Sequence, residues 1–247
     1  MVIYLRPAER KRSRVRRRTT ALNSVAVRRR AMRPESLRAP LTLTGRWVEL
    51  VPLERSHSEA LLAAAHDPAI FRYFRSGAIR TRDDVDRLID FLLEQQAAGT
   101  DLPFTTRVLP DHRIVGMTRY LRIDRANDGV EIGGTWLDPR VQRTPVNTES
   151  KYLLFRHAFE VEGYHRVQLQ TDLRNERSQR AIERVGGIRE GALREDVLLP
   201  DAYRRSSVYY SVLVAEWPQV KQRLEGFLAR PWPSPPAAPS RPPDRSS

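Results

Sequence analysis

The stretch that decides the fold is Val130-Glu131-Ile132-Gly133-Gly134-Thr135-Trp136-Leu137-Asp138-Pro139-Arg140-Val141-Gln142-Arg143-Thr144-Pro145-Val146-Asn147-Thr148. Residues 130–137 read as a strand. Thr144-Pro145 reads as a helix start, because Thr is a favoured N-cap and Pro suits the first helical position. A strand, a loop and a helix in that order present unpaired backbone N–H groups at the positive end of the helix dipole. Such an end binds phosphate. Arg143 adds a mobile positive charge, and Thr144 or Thr148 a hydroxyl donor. Spacing alone leaves two readings open, a phosphate cradle or an ordinary helix start capped by Thr144.

Working outward, residues 47–53 alternate like a strand, and Ser56 caps a helix reaching His66. Residues 83–96 place apolar side chains at 85, 88, 89, 92 and 93, one face of a helix. Residues 104–108, 113–122 and 130–137 follow as three strands, joined through the turn formers Pro110-Asp111 and Asn127-Asp128-Gly129. Beyond the opening stretch come a helix over 146–161, a strand over 167–171, and a helix over 178–185 that stops at Gly186-Gly187. Strands over 188–194 and 206–214 and a closing helix over 216–229 complete the order β-α-α-β-β-β-α-β-α-β-β-α. That order predicts an α/β (α+β) domain, a mixed sheet with helices on both faces.

The chain has 247 residues and a net charge of +13, which by itself suggests a nucleic-acid binder. The charge is unevenly placed. Residues 1–40 hold 13 basic and 2 acidic side chains, whereas residues 41–230 hold 28 basic and 27 acidic ones. Residues 1–40 are therefore expected to be a disordered basic arm, and 231–247, with seven Pro, a solvated tail. Three readings of the arm stand: Met32 is the true start, the arm contacts ribosome or RNA phosphates, or it is an organelle transit peptide. The folded domain is expected over 41–230 and the location is expected to be cytoplasmic. Cys is absent, so disulfides and a Cys nucleophile are excluded, and no two of the five His fall at helical metal-ligand spacing. No metal is expected. No apolar run nears the roughly 18 residues that span a bilayer, so no membrane partner is expected.

The opening stretch resembles the acetyl-coenzyme A binding motif of the GNAT superfamily of N-acetyltransferases, whose loop usually reads Gln/Arg-x-x-Gly-x-Gly/Ala. It is most similar to the group holding the ribosomal-protein N-terminal alanine acetyltransferases. Residues 131–137, Asn175-Glu176-Arg177-Ser178 and residues 186–191 support the resemblance, which covers roughly 41–229. It implies a mostly antiparallel sheet of about seven strands. It also implies acetyl-CoA as co-substrate and a primary amine, on a protein N-terminus or a small molecule, attacking the thioester directly in a ternary complex. The protein would be a monomer or homodimer.

Carried over residue by residue, the resemblance implies cofactor contacts from Trp136, Leu137 and Asp138 on the strand. The loop contributes Gln142, Arg143, Thr144, Pro145, Val146, Asn147 and Thr148, and Asn175 adds a further contact. Two loop positions depart from the pattern: Pro145 replaces the first Gly and Asn147 the small residue. Proline removes a backbone N–H, and one lost charge-assisted bond is worth about 1.5–3 kcal/mol. A weakened, GNAT-like binding module is therefore the alternative to a working enzyme, and an RNA- or ribosome-associated protein a third reading. For chemistry, Glu131 is the candidate base, against a solvent-facing strand residue paired with an Arg. Ser178 is the candidate acid, because Ile182 stands where many members carry a Tyr. Asn175 and Ser178 equally suit a plain helix cap. Phe71, Tyr73 and Phe74 are candidate walls of the acceptor pocket or simply core.

Overall fold

In the computed structural model, the described residues are 37 and 40–232; most of the expected basic arm and of the Pro-rich tail lies outside them. Among the described residues one eight-stranded sheet runs β1-β2-β3-β4-β5-β6-β8-β7. Its strands are β1 (Leu43–Thr44), β2 (Val48–Pro52), β3 (Leu102–Val108), β4 (Arg113–Asp124), β5 (Gly129–Leu137), β6 (Arg166–Asp172), β7 (Ile188–Leu198) and β8 (Arg204–Leu213). The helices are α1 (Ser58–Ala64), α2 (Arg82–Ala97), α3 (Pro145–Arg156), α4 (Glu176–Arg184) and α5 (Trp217–Leu228). All seven expected strands and all five expected helices form. The eighth strand, β1, is two residues long, too short to leave a periodic signal. The helix expected over 146–161 ends at Arg156 and continues as a wider turn, His157–Val161.

Two apolar clusters fill the space between the sheet and its helices. The larger holds Leu153, Leu154 and Phe155 of α3 with Tyr120, Leu169 and Tyr210 of the sheet, and Leu224 of α5. The Tyr120 hydroxyl, wholly buried, donates to the Leu154 carbonyl at 2.5 Å, so the ring packs without an unpaired polar atom. The smaller gathers Leu61 of α1, Val85, Ile89 and Leu92 of α2, and Phe71 against Met117 and Trp136. Ile89 and Leu92 belong to the apolar face expected for α2. Thr81 starts that helix by accepting from the Asp84 N–H while Asp84 answers the Thr81 N–H.

One break in the sheet positions everything that follows. All neighbouring strands are antiparallel except β5 and β6, which are parallel and pair only at Gly129–Arg166, Val130–Val167 and Glu131–Gln168. On its other side β5 stays paired to β4 as far as Leu137, but the register slips between Met117 and Arg119. Gly133 and Trp136 oppose Arg119 and Met117, so Gly134-Thr135 face the single residue Thr118 as a bulge. Gly134 takes a φ of 57°, the left-handed conformation that glycine adopts without a Cβ clash. A bulge bends its strand. Beyond Glu131, β5 and β6 part company.

Candidate active site

The parted strands open a cleft of about 1370 Å³. Glu131 lies at its foot, β5 forms one wall, the N-terminal turn of α4 the other, and the start of α3 closes one end. Of the residues implicated by sequence, Glu131, Trp136, Leu137, Gln142, Arg143, Thr144, Asn147, Thr148, Asn175 and Ser178 line it together. Asp138, Pro145 and Val146 do not.

Each of those three is used elsewhere. Asp138 is fully buried and its carboxylate grips the Arg140 guanidinium and backbone N–H at 2.5–3.0 Å. Burial opposes its charge, but the Arg140 bonds outweigh burial and hold the carboxyl below the usual range. Its own N–H donates to the Val115 carbonyl at 2.8 Å, so neither group is offered to a ligand. Asp138 shapes the loop. Pro145 is the buried first residue of α3, and Val146 is buried behind it.

The loop itself resolves the choice over Thr144. Its hydroxyl donates to the Val141 carbonyl at 2.6 Å and accepts from the Val146 N–H at 3.4 Å. It is the cap, and its proton is spent inside the loop. Arg143 adopts a φ of 62°, rare for a residue with a side chain. The Gln142 amide donates to the Leu137 carbonyl at 3.1 Å while its oxygen accepts from Arg177 at 3.0 Å, tying the two walls together. The Thr148 hydroxyl accepts from Arg184 at 2.9 Å. Arg143, Arg177 and Arg184 thus bring three guanidiniums to this end of the cleft, none in an ion pair among the described residues. That end suits a polyanion.

Glu131 is not the solvent-facing residue weighed against a catalytic one. It is 2% exposed, and its carboxylate accepts from Arg122 at 3.0 Å, Gln168 at 2.9 Å and Gln170 at 3.0 Å. Burial raises its pKa despite Arg122 and the two amides. A carboxylate that is both oriented and more basic than usual suits proton abstraction. Across the cleft, Asn175 caps α4 by accepting from the Ser178 N–H at 3.1 Å, as the plainer reading held. Among the described residues, the Ser178 hydroxyl and the Asn175 side-chain N–H groups have no partner, and both residues face the opening. Phe71 serves core and wall at once: it is buried edge-on against Trp136, ring centroids 5.3 Å apart, and lines the cleft with Tyr73 and Phe74.

Sequence reasoning gave no role to Arg122, Arg177 or Arg184, and it also missed two buried charges. Asp101, just before β3, lines the cleft and holds Arg119 at 3.0 Å; burial raises its pKa. No pattern around Gly99-Thr100-Asp101 marks it. Lys151 is buried, and its Nζ donates to Thr135 Oγ1 at 2.6 Å and Thr118 Oγ1 at 3.4 Å. Burial pushes its pKa down to about 7. Its position one turn after Asn147 on α3 was a usable signal. Among the described residues no group of three or more His, Asp or Glu is placed to hold a metal, and no helix is long and apolar enough to cross a membrane.

Comparison with known proteins accords with this geometry. A "Putative ribosomal N-acetyltransferase YdaF" of Bacillus subtilis (strain 168) is 32% identical over 110 residues, which is 44% of this chain and 59% of that protein's length. A crystal structure of a "putative acetyltransferase" from T. thermophilus is 38% identical with a TM-score of 0.70, covering 77% of this chain and 98% of that one. A GCN5-related N-acetyltransferase from Brucella melitensis is 29% identical with a TM-score of 0.73, covering 77% and 86%. The family model described as acetyltransferase (GNAT) domain matches residues 48–188, more than half of the sequence, and the chain belongs to that family.

Proposed function

We propose that this protein transfers the acetyl group of acetyl-CoA to a primary amine, by direct attack within a ternary complex. The observation that carries the reading is the parting of β5 from β6 at Glu131, which frees the β5 edge and ends at the start of α3. The residues present fit the co-substrate. The β5 edge left without a strand partner beyond Glu131 suits the pantetheine arm along Trp136 and Leu137. The helix start with Arg143, Arg177 and Arg184 suits the phosphates. Asn175 offers side-chain N–H groups toward the arm. When bound, acetyl-CoA supplies an activated thioester.

The chain's own residues then divide the work. Glu131 takes the proton of the incoming amine, directly or through a water. Ser178, its hydroxyl uncommitted, gives a proton to the departing thiolate. Pro145 costs one N–H at a position buried behind the cleft lining, which favours a working enzyme over a weakened module. The acceptor we favour is a ribosomal-protein N-terminus in the cytoplasm. It is supported by the name of the Bacillus relative and by the 13 basic residues within 1–40, which suit ribosomal RNA phosphate. Small-molecule amines are the other acceptor class, and residues 41–230 are the unit we assign the chemistry.

Calorimetry with acetyl-CoA and a thiol-release screen over peptide N-termini, polyamines and aminoglycosides test this. The expected result is a dissociation constant below about 100 μM and turnover with N-terminal peptides. Binding without turnover on any amine would restore the binding-module reading.

A further inference from the structure

Three requirements attend direct attack on a thioester: a base for the amine, a proton donor for the departing thiolate, and something to polarise the carbonyl. Glu131 and Ser178 answer the first two. We propose that the third is answered by Thr135, whose hydroxyl donates to the thioester oxygen, with Lys151 held behind it as the positive charge. The proposal rests on acetyl-CoA lying along β5 as argued above.

Hydrogen-bond accounting points the Thr135 proton into the cleft. Its oxygen accepts from Lys151 Nζ at 2.6 Å, and the Thr118 oxygen lies 2.8 Å away. Thr118 is 1% exposed, so its own proton needs a buried acceptor, and Thr135 Oγ1 is the one within reach. With both lone pairs filled, Thr135 keeps one O–H to give. The alternative acceptor, the Gly133 carbonyl, is 3.5 Å away, at the limit of a useful bond. Thr135 lines the cleft, on the bulge against β4 that follows the parting of β5 from β6, one residue before the Trp136–Leu137 edge assigned to the pantetheine arm.

Lys151 is the second observation. It is 6% exposed, lines the same cleft, and its hydrogen-bond partners among the described residues are the two hydroxyls and no carboxylate. An uncompensated buried ammonium is costly, and burial pushes its pKa down to about 7. That cost falls when negative charge builds on an oxygen bonded to Thr135, so the group helps the transition state more than the ground state. Donation from Lys151 also polarises the Thr135 O–H. Thr135 is thus the catalytic residue, since it touches the reacting carbonyl, and Lys151 a positioning residue acting through it.

Isotope-edited infrared spectroscopy of acetyl-CoA labelled with carbon-13 at the thioester carbonyl, bound to the full chain, tests the pair without needing an acceptor. Wild type and Thr135→Ser are expected to shift the carbonyl stretch to lower frequency than in water. Thr135→Val and Lys151→Met, both close in volume to the residues they replace, are expected to lose most of that shift while the dissociation constant changes less than about threefold. In turnover the same two variants should lose about 30-fold or more in kcat with KM little changed. The fall of wild-type kcat above neutral pH, as the ammonium is lost, should be missing from Lys151→Met. Bound acetyl-CoA with an unshifted carbonyl in wild type, or a shift that survives Thr135→Val, overturns this inference alone. Absence of acetyl-CoA binding overturns the acetyltransferase reading and this inference with it.

Discussion

Glu149 and Lys151 stand two residues apart on α3, both buried, and their charges are met in opposite ways. Glu149 points toward the turn between β1 and β2, where its carboxylate accepts from the N–H groups of Arg46 at 2.8 Å, Trp47 at 2.6 Å and Val48 at 2.8 Å. Nothing about it faces the cleft. The turn is built around it: a Cβ on Gly45 would lie 2.4 Å from the Glu149 carboxyl carbon. Lys151 points toward the cleft and finds two hydroxyls in place of a counter-ion. A charge that holds structure is saturated, and a charge left short of partners beside a cleft is available to a ligand.

Removing each charge should break that contrast in opposite directions. Glu149→Ala strands three buried or half-buried N–H groups and is expected to destabilise the fold by about 3–4 kcal/mol in urea unfolding, with the m-value unchanged. A loss under about 1 kcal/mol would mean that water replaces the carboxylate. Lys151→Met should instead stabilise the fold, by about 2–4 kcal/mol at pH 7, because the depressed pKa records a cost of burial that methionine does not carry. The sign with pH is checkable. The folded-state pKa, about 7, lies below the unfolded value, so the unfolded chain binds more protons between pH 7 and about 10.5. Wild type therefore gains stability as pH rises through that window. Lys151→Met lacks the gain, and parallel curves for the two proteins would refute the unpaired ammonium.

The same contrast explains what the sequence could and could not show. Strand and helix periodicity placed every strand longer than two residues and every α-helix, because burying one face dictates it. The site was legible where it depends on a local turn: Thr144, Pro145 and Asn175 act on neighbours within three residues, and their caps could be read directly. Saturation is not local. Glu149 meets partners about a hundred positions away, and Glu131 meets Gln168 and Gln170 from a strand nearly forty positions on. Lys151 looked like one more charged residue on an amphipathic helix until the bulge at Gly134-Thr135, a register slip that periodicity does not encode, brought Thr118 and Thr135 beneath it. Family resemblance supplied Glu131, but only the packing shows it buried with one cation and two amides.

Glu131 lies between the two extremes and sharpens the comparison. It has an ion-pair partner in Arg122, itself half exposed, yet burial still raises its pKa. Arg122→Met removes the attraction that favours the charged carboxylate and should raise that pKa further. The low-pH limb of kcat/KM should then move to higher pH, with a loss of roughly fivefold at pH 6 and little change at pH 8. An unmoved limb would release Glu131 from the role of base.

Asn175 carries the smallest expected effect, because its structural and ligand-facing parts sit on one side chain. Its oxygen caps α4, whereas its N–H groups face the cleft. Asn175→Asp keeps the cap, since a carboxylate accepts from the Ser178 N–H equally well, so stability should stay within about 0.5 kcal/mol of wild type. The donors are lost, and acetyl-CoA affinity should fall about three- to tenfold by calorimetry. Asn175→Ala removes both parts and should cost about 1 kcal/mol of stability as well. If Asn175→Asp binds acetyl-CoA as tightly as wild type, Asn175 belongs with Glu149 as structure alone. The cleft would then hold its ligand through β5, the α3 end and the unpaired cations.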